Sequence, residues 1–249
     1  MIKGLVPTRI VREKWWETPE IEDIEELRPK PKRDILLVVG DATGVLDDLS
    51  NFLDLVEQSG TPFDTLCINY STEVVPWPVQ HWIAGDSHMP DMQAIAVKLE
   101  GKDVIRHCWN PNSKGFDVRW IRNGRPGWNG TTANLGIKVG IALGYTRIVL
   151  AGVPMDNTGN WYTPHIPKND IKQGKDHRSH LWKWTEIASR PIARLMRSLS
   201  GNTADLLGKP TVKWLKKELE HAQEEDNQET GASGKNVKGA VKAGAATAC

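Results

Sequence analysis

The chain has 249 residues, enough for one large α/β domain or for a domain with extensions. Its 32 Lys and Arg against 31 Asp and Glu give a formal net charge of +1, which does not predict a nucleic acid or an anionic membrane as partner. The three cysteines are far apart, and we find no signal peptide and no apolar run near the roughly 18 residues of a membrane span, so we expect a cytoplasmic protein without disulfides.

Residues 1–33 show no clear alternation of apolar and polar residues. They contain Trp15 and Trp16, an acidic run from Glu17 to Glu26 and a Pro-Lys repeat at 29–32. Because closely spaced prolines stiffen a chain and interrupt helices, we predict an N-terminal arm with one short helix, ended by a Pro-Lys linker.

The first clear buried strand is Ile35–Val39, which runs into the turn Gly40–Gly44. Helical spacing follows over Val45–Gln58. A strand, a glycine turn and a helix open many nucleotide-binding folds, but GxGxxG is absent, so NAD is not expected. The apolar face of the helix is predicted to be Leu46, Leu49, Leu53 and Val56.

Three more strands are predicted at Asp64–Asn69, His81–Gly85 and Asp103–His107, with a helix at Met89–Leu99. Polar residues collect where the strands end. Because the carboxyl ends of parallel strands share one edge of a sheet, we expect them to lie close together, although each one alone is more often a turn residue. These residues are Asp41, Asn69, Asp86, Ser87 and His107.

A polar insertion, Asn110–Asn129, carries Trp120, Trp128 and three arginines. Two interpretations stay open for it. It either covers a pocket, as functional loops often do, or forms a plain surface hairpin.

The stretch from Gly127 to Asp156 predicts a turn, a helix, a tight stop and a buried strand. Thr131 and Thr132 are suited to cap a helix that spans Ala133–Leu143. The cap is also a potential anion site, since free N–H groups and the positive dipole end meet there; a capped helix without a ligand is the alternative.

Glycines recur on one face of this helix, at positions 136, 140 and 144. Each costs about 1 kcal/mol inside a helix relative to alanine, so the repeat predicts a helix pressed against a sheet. Gly144 also suits the left-handed position that ends helices. Arg147–Ala151 follows as a strand buried on both faces, and Asp156 lies just past it, where open α/β sheets bind ligands.

Beyond a loop at 157–174, we predict a helix over His177–Leu199, broken at Pro191, and a short helix from Pro210 to His221. From Ala222 the sequence is poor in large apolar residues and predicts a disordered tail. The predicted organisation is an arm (1–33), a nucleotide-binding domain (34–156), a helical extension (157–221) and a tail (222–249).

Four segments resemble a known superfamily: Ile35–Leu46, Cys67–Asn69, Gly130–Ala133 and Leu143–Asp156, the last reading LGYTRIVLAGVPMD. The pattern is similar to the Rossmann-like superfamily that holds the bacterial lipooligosaccharide sialyltransferases and the DUF115 proteins. The likeness covers roughly residues 34–156. The later stretch Arg197–Thr211 looks like short phage and prophage proteins that carry this domain.

The resemblance implies a nucleotide or nucleotide-sugar bound over the strand ends. In the sialyltransferases a glycine turn holds the phosphates, and here Asp41 and Gly44 replace the asparagine and the serine of that turn. A carboxylate beside a phosphate is repulsive unless a metal or a cation neutralises it. The nucleotide-binding residues implied are Gly40, Asp41, Thr43, Gly44, Asn69, Asp86, Ser87, Gly130, Thr131 and Thr132.

The resemblance further implies that Asp156 matches the family's acid after the last core strand and that a later histidine is the general base. Candidates are His165, His177 and His180. A histidine titrates near neutral pH and can take a proton from an acceptor hydroxyl. A Mg²⁺ ion shared between Asp41 or Asp156 and the phosphate oxygens of the ligand is one option for a cofactor. No metal site formed by protein ligands alone is predicted.

We therefore expect an α/β, Rossmann-like, mostly parallel sheet with helices on both faces. Two functional hypotheses follow. The first is a nucleotide-sugar-dependent glycosyltransferase or a related diphosphate-handling transferase, favoured by the Gly-Thr-Thr helix start and Asp156. The second is a phage-encoded binding or structural protein that keeps the fold without the chemistry, favoured by Asp41 and Gly44.

Overall fold

The computed structural model describes residues 5–11, 20–23, 33–109, 113–122, 131–160 and 177–216, with only the backbone described at 5–11, 20–23, 121–122 and 177. These residues all belong to one compact unit, Met1–Lys216. Its strands are β1 (Leu5–Val11), β2 (Glu20–Asp23), β3 (Ile35–Val39), β4 (Phe63–Ile68), β5 (His81–Ala84), β6 (Ile105–Cys108), β7 (Val118–Arg122), β8 (Arg147–Ala151) and β9 (Met196–Ser198).

Helices alternate with these strands along the chain. The α-helices are α1 (Val45–Ser59), α2 (Pro90–Lys98), α3 (Thr132–Leu143), α4 (Leu181–Ala188), α5 (Gly201–Leu207) and α6 (Val212–Lys216). Short 3₁₀ helices lie at Asn69–Glu73, His177–His180 and Pro191–Leu195. Within the described residues, each helix is too short or too polar to cross a bilayer.

The strands form one sheet in the order β2-β1-β7-β6-β5-β4-β3-β8-β9. From β7 to β9 all neighbouring strands are parallel, and only β1 runs antiparallel to its neighbours, β2 and β7. The chain builds the sheet outward from β3 to β7 and then returns to place β8 on the other side of β3. The predicted α/β, mostly parallel, Rossmann-like sheet is confirmed, including the pairing of Ile35–Val39 with Arg147–Ala151.

Two apolar layers cover the two faces of the sheet, as predicted. The central strand β3 is buried along its whole length and supplies both layers, since successive side chains point to opposite faces. Leu36 and Val38 pack into the layer formed with α3, α4 and α5. Ile35, Leu37 and Val39 pack into the layer formed with α1, α2 and α6.

The predicted apolar face of α1 is partly wrong. Leu49 is buried, but Leu46 and Leu53 are 62% and 41% exposed. The buried face is rotated to include Phe52 and Asp48. Asp48 is tolerated there because its carboxylate accepts hydrogen bonds from the Gly152 amide (2.7 Å) and the Ser200 hydroxyl (2.6 Å).

Three predicted regions contain strands that local pattern did not indicate. The arm forms β1 and β2 where one short helix was expected, and the insertion Asn110–Asn129 contributes β7. In the stretch expected to be helical, the break at Pro191 is confirmed, but Met196–Ser198 forms β9 beside β8. Such short strands form because a neighbouring strand supplies their hydrogen bonds, so their own sequences carry little signal.

Candidate functional site

Helix α3 begins at the carboxyl edge of the sheet. Thr131 is its N-cap residue, and its hydroxyl accepts a hydrogen bond from the backbone N–H of Asn134 (3.3 Å). This confirms one of the two predicted caps. The Thr132 hydroxyl lies directly against Gly85, which follows β5: a Cβ atom on Gly85 would stand 2.4 Å from Thr132 Oγ1. The free amides of the first helical turn therefore lie at the end of β5.

Glycines bring α3 this close to the sheet. A Cβ atom on Gly136 would lie 3.2 Å from the Leu66 side chain, and one on Gly140 would lie 2.6 Å from the Leu36 side chain. Gly144 ends the helix in the left-handed conformation, with φ of 99°. The predicted close approach of α3 to the sheet and the predicted helix stop are confirmed.

Asn134 carries an unsatisfied polar group in the first turn of α3. The residue is 1% exposed, and neither its side-chain nitrogen nor its side-chain oxygen has a hydrogen-bond partner among the residues that the structure describes. A buried polar group left unpaired costs about 1–3 kcal/mol, so such a group calls for a partner. Helical side chains lean toward the helix N-terminus, which directs Asn134 to the end that carries the free amides.

The turn after β3, predicted to hold phosphates, uses its amides within the protein. Gly40 N donates to Ala151 O (2.8 Å), Ala42 N to Gly152 O (3.2 Å) and Thr43 N to Gly159 O (3.1 Å). These bonds tie the turn to the loop after β8. Because strand order reverses between β3 and β8, they close the crevice in which open α/β sheets usually bind ligands.

Side chains of this turn strengthen the closure. The Thr43 hydroxyl donates to Thr158 O (2.9 Å), and a Cβ atom on Gly40 would stand 2.3 Å from Gly152 O. Gly44 precedes α1 without a side-chain cap, and the space around its Cα is open. The turn is therefore built for backbone contact with the loop after β8, which leaves three of its amides unavailable to a phosphate.

Asp41 is the titratable group of this turn. It is partly buried, and burial raises its pKa to about 6, an effect that a hydrogen bond with its own backbone N–H opposes. A carboxyl with this pKa changes charge just below neutral pH, which suits a group that exchanges a proton.

Two residues at strand ends adopt left-handed backbone conformations that non-glycine residues rarely take. They are Asn69 after β4, with φ of 51°, and Met155 after β8, with φ of 53°. The Asn69 carbonyl accepts from Trp82 Nε1 (2.8 Å), while the Asn69 side-chain oxygen is buried and has no partner within the described part of the chain. Strain of this kind concentrates at functional sites, and both positions flank β3.

Other predicted residues have local structural roles. Asp156 Oδ1 accepts from the amide (3.0 Å) and the hydroxyl (2.7 Å) of Thr158 and so shapes the loop after β8. Asp86 is exposed beside Gly85. Ser87 is fully buried, and its hydroxyl bonds that of Ser113 at 2.6 Å, which makes it part of the packed turn and removes it from the open edge.

The predicted general bases are only partly placed. His165 lies outside the described residues, as does Gly130. His177 begins the 3₁₀ helix at His177–His180, with its backbone alone described, and His180 ends that helix before α4. Among the described residues, no group of three or more His, Cys, Asp or Glu converges on a point that could hold a metal ion.

A buried chain of hydrogen bonds, which we call the His network, was not predicted from the sequence. It contains His107, which was expected at the open end of its strand but lies inside β6 and is fully buried. Tyr145 OH donates to Asp64 Oδ2 (2.8 Å) and lies 2.9 Å from His81 Nε2. His81 Nδ1 lies 3.1 Å from His107 Nε2, and Trp120 Nε1 donates to His107 Nδ1 (3.1 Å). All five residues are at most 4% exposed, so the network is a structural element sealed from solvent.

The end groups of the His network fix both imidazole tautomers. Because the indole of Trp120 only donates, His107 Nδ1 is the acceptor, and His107 carries its proton on Nε2. That proton is donated to His81 Nδ1, so His81 carries its own proton on Nε2 and donates it to Tyr145. Burial, and secondarily the neighbouring His81, holds the pKa of His107 well below its usual value. Burial and the neighbouring Asp64 raise the pKa of Tyr145.

Trp109 is a second residue that sequence analysis missed. It follows β6, its indole N–H donates to the Gly85 carbonyl, and 42% of its surface is exposed. By contrast, Trp82, Trp120 and Trp184 are almost completely buried. A tryptophan directly after a strand of a parallel sheet was the available signal, since that position lies at the ligand-binding edge.

Comparisons of the chain with protein-family models, with curated proteins and with solved structures gave no match. The fold and the geometry at the carboxyl edge of the sheet are therefore the features that bear on function.

Proposed function

We propose that this protein binds a nucleotide at the carboxyl edge of its sheet, with a phosphate at the N-terminus of α3, and that it acts as a nucleotide-sugar-dependent glycosyltransferase or a related diphosphate-handling transferase. The observation that carries the proposal is the buried, unpaired amide of Asn134 in the first turn of α3. Next to it, the free amides and the positive dipole end of a helix favour an anion.

The binding position differs from that of the family the sequence resembles. The amides of the turn after β3 already bond the loop after β8, whereas α3 starts at the end of β5. With strands about 4.8 Å apart, the two places are separated by about 10 Å. A nucleotide with its phosphates on α3 would lie over the ends of β4 and β5, near Asn69 and Asp86.

The chemistry proposed is transfer of a sugar to an acceptor hydroxyl. Asp41 supports this proposal because its pKa of about 6 suits a general base that removes the hydroxyl proton. His165, His177 and His180 remain alternative bases, and Asp156 remains the acid proposed beside them. A Mg²⁺ ion would neutralise the diphosphate through carboxylate oxygens close to the start of α3.

A non-catalytic, phage-encoded binding or structural protein is the second candidate. The closure between the turn after β3 and the loop after β8 favours it, because three amides of that turn serve the fold itself. Release of the nucleotide from a nucleotide sugar in the presence of acceptors separates the two candidates, since only the transferase releases it. The released nucleotide is CMP from a CMP sugar and the nucleoside diphosphate from a UDP, GDP or ADP sugar.

Asn134→Leu tests the binding site directly. Leucine has a similar size and removes the unpaired side-chain amide. We therefore expect the free energy of unfolding of the variant to be about 1–3 kcal/mol higher than that of the wild type. Affinity for CMP, UDP, GDP or ADP sugars, measured by calorimetry with and without Mg²⁺, should fall at the same time. A more stable variant that loses its ligand is the signature of a group kept for function.

Thr203→Val is the matched control. Thr203 is equally buried, but its hydroxyl donates to Val153 O (2.6 Å) and lies 2.8 Å from Ser198 Oγ. Removing a paired hydroxyl should lower stability and leave nucleotide affinity unchanged. If Asn134→Leu behaves like Thr203→Val, or if the wild type binds none of these nucleotides, the proposed site is wrong.

A further inference from the structure

We propose that Trp109 is the platform on which the nucleobase stacks, so that the ligand is recognised through an aromatic ring as well as through its phosphate. The inference rests on the proposed function, since it assigns a second part of the same ligand. The group that stacks on Trp109 is the nucleobase, and the experiment distinguishes it from a sugar ring in the same place.

Gly85 joins Trp109 to the start of α3. On one side, the Thr132 hydroxyl lies where a Cβ atom of residue 85 would be, only 2.4 Å from Thr132 Oγ1. On the other side, the Gly85 carbonyl accepts the indole N–H of Trp109. One glycine thus contacts both the residue that opens α3 and the indole ring.

Trp109 and α3 also lie on the same face of the sheet. Along β6, His107 points to the layer that contains α3, because its hydrogen-bond partner Trp120 belongs to that layer. Successive strand residues alternate between faces, so Trp109, two residues further, leaves the strand on the same side. Trp109 and the first turn of α3 therefore flank the same part of the carboxyl edge.

The indole of Trp109 is anchored and yet exposed. Its N–H is bound to the Gly85 carbonyl, which fixes the ring, while 42% of the residue remains accessible. A fixed ring loses little conformational entropy when a base stacks on it. Stacking on an aromatic side chain favours any of the four bases, because each has a π-face. The arrangement predicts a general contribution to nucleotide affinity and no strong choice among bases.

The experiment compares wild type, Trp109→Leu and the control Trp182→Leu by calorimetry. Trp182 is exposed as well, at 61%, but lies on α4, so its removal controls for the loss of a surface indole. The probes are inorganic pyrophosphate, the nucleoside diphosphates CDP, UDP, GDP and ADP, and one nucleotide sugar of the diphosphate that binds best. Melting temperatures confirm that each variant is folded.

Trp109→Leu should bind nucleoside diphosphates roughly 5-fold to 100-fold more weakly than the wild type, and pyrophosphate equally well. Trp182→Leu should match the wild type for every probe. Trp109→Phe should recover part of the loss, since it restores an aromatic face. Together these results would establish the stacking role.

Three outcomes would overturn the inference. If nucleoside diphosphates bind Trp109→Leu as tightly as the wild type, the indole is not a base platform, while the proposed phosphate site still stands. If Trp109→Leu loses affinity only for the nucleotide sugar, the indole stacks on the sugar and not on the base. If the wild type binds neither pyrophosphate nor nucleotides, the proposed function fails and the base platform fails with it.

Discussion

At the scale of single residues, Asp41 is the group that most directly tests whether the proposed site carries out chemistry. Under the resemblance to the sialyltransferases it would stand in the place of an asparagine, and burial raises its pKa to about 6. When charged, it repels a phosphate; when protonated, it can donate a hydrogen bond as asparagine does. The same residue therefore either opposes the ligand, holds a metal or exchanges a proton.

Asp41→Asn separates these roles. If the charge opposes the ligand, the variant should bind nucleotides more tightly than the wild type at pH 7.5, and the difference should disappear at about pH 5, where Asp41 is protonated. If Asp41 holds Mg²⁺, the change should instead abolish Mg²⁺-dependent binding. Calorimetry at both pH values, with Mg²⁺ and with a chelator, makes the comparison. Equal affinity under all four conditions would exclude any contact of Asp41 with the ligand.

At the scale of secondary-structure elements, α3 determines where the site lies. The glycines at 136 and 140 let its backbone approach β3 and β4, and this approach places Thr131 and Thr132 at the end of β5. A helix normally gains about 1 kcal/mol when glycine becomes alanine. Here packing against the sheet is expected to outweigh that gain.

Gly140→Ala should destabilise the protein by about 1–3 kcal/mol, because its Cβ atom would lie 2.6 Å from the Leu36 side chain and 3.2 Å from that of Ile148. Gly136→Ala should cost less, since its closest contact, with Leu66, is 3.2 Å. Urea unfolding of both variants measures which of the two loses more stability. A more stable Gly140→Ala variant would show that α3 is not held against the sheet as the structure has it.

At the scale of the whole molecule, the His network connects four neighbouring strands. Asp64, His81, His107 and Trp120 come from β4, β5, β6 and β7, and Tyr145 joins them from the segment between α3 and β8. Each donor in the series meets one acceptor, so an added proton on either imidazole would face another N–H. The folded protein therefore keeps His107 neutral.

The free energy of unfolding should consequently depend on pH. The pKa of His107 is lower in the folded state than the usual 6.5 of the unfolded state, so its contribution is complete above about pH 6.5 and is lost as pH falls below that value. One such histidine changes stability by up to about 1.4 kcal/mol per pH unit in this range. Urea unfolding between pH 8 and pH 5 gives the slope.

Asp41 complicates the measurement because its pKa is raised on folding, so its contribution grows as pH falls through about 6. The effect of His107 is best measured in Asp41→Asn, with and without His107→Leu. Removing the imidazole should lower stability at pH 8 and flatten the slope below pH 6.5. An unchanged slope would mean that His107 does not stay neutral in the folded protein.

The sequence alone determined the elements whose signals are local. Ile35–Val39 and Arg147–Ala151 are runs buried on both faces, and they were predicted with the bounds that the structure shows. The Thr131 cap and the Gly144 stop of α3 were also predicted, because capping and left-handed backbone depend on residues within one turn. The parallel direction of the strands was predicted from the alternation of strands and helices along the chain.

Only the tertiary structure decided what depends on residues far apart in the chain. The turn Gly40–Gly44 has the sequence of a phosphate loop, but its amides donate to a segment more than 100 residues later, as Thr43 N does to Gly159 O. In the same way, Gly85 brings Trp109 and Thr132 together although neither has a local signal for the other. Local pattern specifies which groups a segment offers for bonding, but folding specifies which of them remain free for a ligand.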